Sequence, residues 1–241
     1  MEKREFPRKE FFRDLPEKDF GGKGGGGGEG GGAFGQKVSH FSGRIFSIVK
    51  FFFGVCLLAF VYSFTRAFLR ELALINSSLQ SDFWAGIISF LVFYHFIWEP
   101  VIIYRRGQKI LEWVFKFFAP LVKTAPYVLP IYTMVICVLY GILSFFVKSE
   151  DLVHYFIFSF SFSLVFHIIF TAKTLRSKQD FIKANYLFGI AFIYILNILL
   201  AAFSLNLIFE RFSFINFFNG SYSYARDIYA AIFKQVFLPG S

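Results

Sequence analysis

Charge is scarce in this sequence. Only 17% of its 241 residues are Asp, Glu, Lys or Arg, against 56% apolar, and the apolar residues run in long uninterrupted tracts. That argues against a soluble domain and for a membrane protein. Cysteine is nearly absent: Cys56 and Cys137 both fall inside apolar tracts and read as buried free thiols rather than a disulfide. Strict alternation of polar and apolar residues is missing too, which excludes a transmembrane β-barrel. The glycine run at 21–35 lacks a Gly-Lys-Ser/Thr ending, so it is no phosphate-binding loop. The first apolar run begins near Ile45, too late and too long for a cleaved signal segment. The net charge of +9 does not indicate nucleic acid, because the cations lie between apolar tracts instead of in one basic domain.

What is present is an abundance of phenylalanine, 39 in all. With Ile, Lys, Tyr and Asn also frequent, biased codon usage accounts for it without an aromatic cage. Residues 1–44 are polar, and "GGKGGGGGEGGGAFG" has eleven glycines in fifteen positions. Such a stretch cannot offset its backbone entropy by burial and is expected to be a flexible tether. Five tracts then reach the ~20 apolar residues a bilayer requires: about 46–65, 83–103, 125–147, 152–172 and 186–209. Helices are the expected form, because backbone groups in lipid must bond within their own segment. The expectation is an all-α polytopic membrane protein with about five transmembrane helices in a domain spanning 45–209. Lys and Arg alternate along the chain, 19 on the odd-numbered flanking segments against 6 on the even ones. The positive-inside rule then puts the amino terminus in the cytoplasm and the carboxy terminus outside.

The final segment, 210–241, contains Asn219-Gly220, which reads as a turn. "YARDIYAAIFKQVF" follows with Tyr224, Ile228, Ala231, Ile232 and Val236 at near-helical spacing, an amphipathic helix on the outer membrane surface or packed on the bundle. A sixth span is not expected, since Arg226, Asp227 and Lys234 would each cost ~2–3 kcal/mol at depth.

The connection after span two, "YRRGQKILEW" at 104–113, places three cations in six residues before apolar character returns. Its plain reading is a basic cytoplasmic turn leading into an interfacial helix over 108–118. Arg105, Arg106, Lys109, Lys116 and Lys123 would then face anionic headgroups, worth about 1 kcal/mol each. Pro100, Pro126 and Pro130 are expected to shape helix entrances or kinks; Pro126 and Pro130 fall in the first turns of span three, where proline is tolerated. Among the four histidines, His40 lies in the tail and His154 at the start of span four. His95 and His167 lie within spans that run in the same direction, and Glu99 stands one turn below His95. His95, Glu99 and His167 would converge at similar depth if those spans are neighbours. The competing reading is a self-satisfied polar cluster, or Glu99 paired with Arg105. Asn197, in the middle of span five, reads as an interhelical link.

"WEPVIIY" at 98–104, then Gly107, then "APYVLPIYT" at 125–133 resemble bacterial integral-membrane relatives of site-2-type zinc proteases. "FHIIFTAKTLRSKQDFI" at 166–182 and "FIYILNIL" at 192–199 are similar to later parts of the same family, so the resemblance covers roughly 85–200. In that family the segment after the glycine is HExxH, in which two His four apart hold zinc and Glu polarises the bound water. Aligned on Gly107, this chain has Gln108 and Glu112 at the His positions and Lys109 at the Glu position. An amide is a poor zinc ligand, and an ammonium repels the metal and cannot act as the base. No Asp-Gly pair of the kind that supplies the third ligand occurs anywhere.

The resemblance therefore implies a protease scaffold without its catalysis, in a bacterial inner membrane. No catalytic residue and no cofactor are expected, zinc included. The expected partners are the lipid bilayer and other membrane proteins or their segments, with the tail available to soluble partners. Two alternatives remain: an intramembrane metalloprotease with a rearranged site, using His95 or His167 with Glu99 or Glu112, and a small transporter. Transport would require polar residues along several spans, whereas these spans are aromatic and aliphatic and show no internal repeat.

Overall fold

A computed structural model describes residues 32–97, 100–147, 149–177 and 183–237. Every regular element among them is helical: α1 Gly32–Leu72, α2 Ser77–Val92, a π-turn Phe93–Ile97, α3 Val101–Val114, α4 Ala119–Val128, α5 Ile131–Phe146, α6 Glu150–Ser177, α7 Lys183–Ile208 and α8 Phe214–Phe237. Residues 43–241 form one compact unit. Helix α1 takes in 32–44, part of the stretch expected to be a flexible tether; the rest of that expectation lies outside the described residues.

Among the described residues three helices are long and apolar enough to cross a membrane: Ile48–Leu72, Glu150–Arg176 and Tyr186–Ile208. They correspond to the expected first, fourth and fifth spans. The other two are interrupted. Helix α2 starts at Ser77 and, after the π-turn, the chain bends by 118° into α3; only taken together do the two pass as one bent span. Pro100, which has no N–H to continue a helix, caps the start of α3 after the break. The expected interfacial helix over 108–118 is thus replaced by one that begins at Val101 and ends at Val114.

Span three is divided in the same way. Leu129 is extended (φ −95°, ψ 120°) ahead of Pro130, separating α4 from α5. Pro126, expected at a helix entrance, lies near the end of α4. At ~1.5 Å per residue, α5 is about 24 Å long, short of the ~30 Å of hydrocarbon.

Helices α2 and α6 run parallel and close together. Successive contacts advance in step, Phe90 against Phe162 and Phe166, then Tyr94 against Phe170. Gly86 permits the approach: a Cβ there would collide with Ser161 Oγ and the Phe158 carbonyl. The main core joins Phe64, Phe68 and Leu72 of α1 to Phe83 of α2, Phe156 and Phe160 of α6, Leu205 of α7 and Phe217 of α8. Lipid is as apolar as these side chains, so packing and edge-on ring geometry hold them together.

Asn219-Gly220 makes no turn. Helix α8 passes through both residues, begins ten residues before Tyr224 and lies along α1. Its first turn is capped by Ser213, whose Oγ accepts from the Asn216 N–H at 3.2 Å. Buried Phe217, Ser221 and Ala225 form its inner face. Packing against α1 outweighs the turn preference of two residues. Of the two placements expected for this segment, the structure has it packed on the bundle.

Candidate functional site

The residues 104, 107, 108 and 111 share one face of a helix. In α3 that face points inward: Tyr104, Gly107 and Leu111 are buried and Gln108 is half-buried. Gly107 lies under α5, where a Cβ would stand 2.8 Å from the Tyr132 ring and 2.9 Å from Ile131. Tyr132 reaches back over the glycine to donate its hydroxyl to the Ile103 carbonyl at 2.5 Å.

A chain of hydrogen bonds leads inward from Gln108. Its Nε2 donates to the Tyr104 hydroxyl (3.1 Å), and that hydroxyl meets Thr171 Oγ1 at 2.8 Å. Thr171 Oγ1 lies 3.4 Å from His167 Nε2, one turn away on α6. His167, only 4% exposed, donates from Nε2 to the Tyr127 carbonyl at 3.2 Å. A carbonyl only accepts, so Nε2 carries the proton and has no lone pair for a metal. Tyr104, Gln108, Leu111, Pro126, Leu129, Tyr132 and His167 line a cleft too narrow for a water molecule.

Beside this cleft, α7 meets the helix break. Asn197 is fully buried and donates Nδ2 to the Val128 carbonyl at the end of α4 (3.2 Å) and to Ile193 in its own helix (2.9 Å). Its Oδ1 is buried with no partner among the described residues.

The aligned motif positions separate. Gln108 joins the buried network, while Lys109 and Glu112, the latter one turn further along α3, are exposed. In an HExxH helix the first and last of these positions share a metal; here one is an inward amide and the other an outward carboxylate. The two histidines of the possible intramembrane cluster stand in different surroundings. Helices α2 and α6 are neighbours, yet His95 is exposed with its ring edge-on to Phe96, whereas His167 is buried against Tyr127 and Thr171. Glu99 lies outside the described residues. Among the described residues no three of His, Cys, Asp and Glu gather in metal-holding range. The donor set around His167, two hydroxyls, an amide and a carbonyl, does not fit zinc, which takes imidazole nitrogen, thiolate or carboxylate.

Tyr104, Thr171, Tyr127 and Tyr132 complete the site without having been singled out from sequence. The signals were there in part: 104 precedes Gln108 by one helical turn, and 167 precedes 171 by one. The pairing between helices was not. His154, expected at a span start, bonds Asp82 on α2, 72 residues away. Cys56 and Cys137 are free; Cys56 faces outward rather than being buried, and Cys137 is half-buried.

No family model, no curated protein and no solved structure matches this chain.

Proposed function

We propose that this chain is a non-catalytic integral membrane protein whose protease-like helical scaffold binds other membrane proteins or their segments. The observation that carries the reading is the state of the groups around α3. At the place where the resembled family holds zinc, Gln108, Tyr104, Thr171 and His167 bond one another and the Tyr127 carbonyl. Gln108 Nε2, the Tyr104 and Thr171 hydroxyls and His167 Nε2 are engaged within the fold, and among the described residues no carboxylate joins them as a general base. The distribution of Lys and Arg supports an amino terminus in the cytoplasm, and the resemblance supports a bacterial inner membrane.

Zinc content of the detergent-purified full-length protein tests the non-catalytic half, measured by elemental mass spectrometry beside a His95→Phe/His167→Phe variant. Background zinc in both is expected. Near-stoichiometric zinc lost in the variant would overturn the reading in favour of a relocated metalloprotease site. The binding half is tested with a photo-crosslinking residue at Met134, on the exposed face of α5. Adducts with discrete membrane proteins in native membranes are expected; adducts with lipid alone count against it.

A second reading, a small transporter, has one observation in its favour. Both interrupted helix pairs adjoin the buried polar network, and Asn197 Oδ1 has no partner there. Broken helices beside buried polar groups are the form many transporter sites take. Flux of small ions or solutes into proteoliposomes, abolished by Asn197→Leu, would favour it.

A further inference from the structure

Helix α8 lies against α1 in a fixed antiparallel register. Phe217 and Phe218 meet Phe64, Gly220 sits over Ala67, Tyr224 lies under the Arg66 guanidinium, and Tyr229 meets Phe60 and donates its hydroxyl to the Cys56 carbonyl. As residue numbers rise in α8 they fall in α1. Arg226 and Asp227 therefore stand level with the stretch between Phe60 and Arg66, close to the middle of the Ile48–Leu72 span.

These two charges face away from the bundle. Their side chains are 64% and 63% exposed, and among the described residues they pair with each other, at 3.2–3.3 Å. Asn219, Ala230 and Lys234 are exposed and Ser223 is half-exposed on the same side, opposite the buried stripe of Phe217, Ser221 and Ala225. Charged groups held beside the middle of a membrane span are not suited to hydrocarbon; they point to another protein surface or to a cavity.

We propose that this face binds a second copy of the chain, through a two-fold axis along the membrane normal that sets the two α8 helices side by side and parallel. The charge pattern selects that occupant. Because Arg226 and Asp227 are adjacent and opposite in sign, the axis places Arg226 of each copy beside Asp227 of the other, so one surface complements itself. The guanidinium–carboxylate contacts would form away from water and reinforce one another. Ser223 and Ala230, one turn to either side, leave room for close approach. Lys234, near the end of α8, can extend its charge toward the interface along its own stem. The inference is independent of the reading of the α3 site: zinc there would leave it unchanged.

The test is the number of copies per particle for the full-length protein, by light scattering in mild detergent and by mass in lipid nanodiscs. Two copies are expected for the wild type. Arg226→Asp and Asp227→Arg each place like charges across the axis and are expected to give single copies. An equimolar mixture of the two variants restores complementarity and is expected to return to two. Single copies for the wild type, or two copies for both inverted variants, would overturn the proposal. Should the inverted variants fail to fold, Ser223→Cys in a Cys56→Ser/Cys137→Ala background decides. A disulfide-linked dimer on oxidation in native membranes supports the interface, and its absence refutes it.

Discussion

His167 is a histidine whose role is set by one carbonyl. Nε2–H donates to Tyr127 at the end of α4, so the ring links α6 to the break between α4 and α5. Asn197 does the same from α7, donating to Val128. The last carbonyls of α4 have no donors within their own helix where it ends, and these side chains supply them. Replacing His167 by Phe leaves the Tyr127 carbonyl without that donor and is expected to cost about 1–2 kcal/mol. Thermal unfolding in detergent would show it, with zinc content unchanged. Asn197→Ala is expected to cost about 1 kcal/mol for its two lost bonds. Tyr104→Phe should act more mildly in the same measurement, since Thr171 keeps His167 as a polar neighbour. Sequence alone marked His167 and Asn197 as unusual because an ionisable or amide group within an apolar tract stands out. It could not say which carbonyl each one meets, since those partners lie 40 and 69 residues away.

At the scale of helices, two glycines separate packing from propensity. Gly86 lies where α2 and α6 touch, and a Cβ there would collide with Ser161 and with the Phe158 backbone. Gly86→Ala is expected to destabilise by about 1–3 kcal/mol, as overpacking does. Gly141, in α5, has nothing within 4 Å of its would-be Cβ. Gly141→Ala is expected to be neutral or to stabilise by up to about 1 kcal/mol, because a helical glycine gives up more backbone freedom than alanine. Parallel unfolding curves for the two variants check both. Nothing in the sequence distinguishes these glycines; each stands in an apolar tract. The prolines were more legible as positions than as effects. Pro100 and Pro130 end helices that hydropathy alone extends through them.

Across the whole molecule, α8 decides the topology of the carboxy-terminal segment. Its register along α1 carries it from the level of Phe68 past that of Cys56, through more than half of the Ile48–Leu72 span. A cysteine introduced at Asn216 is expected to react with a membrane-impermeant maleimide added from one side. One at Gln235, near the other end of α8, should react less or only from the opposite side. Equal labelling of both from the same side would mean a helix lying on the surface instead. The positive-inside count gave no warning of this, because it treats the segment after the last apolar tract as a single flank.

The sequence by itself determined the solvent in which this chain folds and the secondary structure it must use. Long apolar tracts leave helices as the only form that satisfies the backbone in lipid, and three of the expected spans are whole helices of sufficient length. It also determined what the α3 segment lacks, since ligand chemistry is a property of residue type. Tertiary structure alone decided which face of α3 turns inward and that α8 runs straight through Asn219-Gly220. Hydropathy sums over a window and cannot register a missing N–H at Pro100 or Pro130. A turn signal at two residues is local and weak beside the packing of Phe217, Ser221 and Ala225 against a neighbouring helix. The partners that settle these outcomes are distant in the chain, and only the folded arrangement brings them into contact.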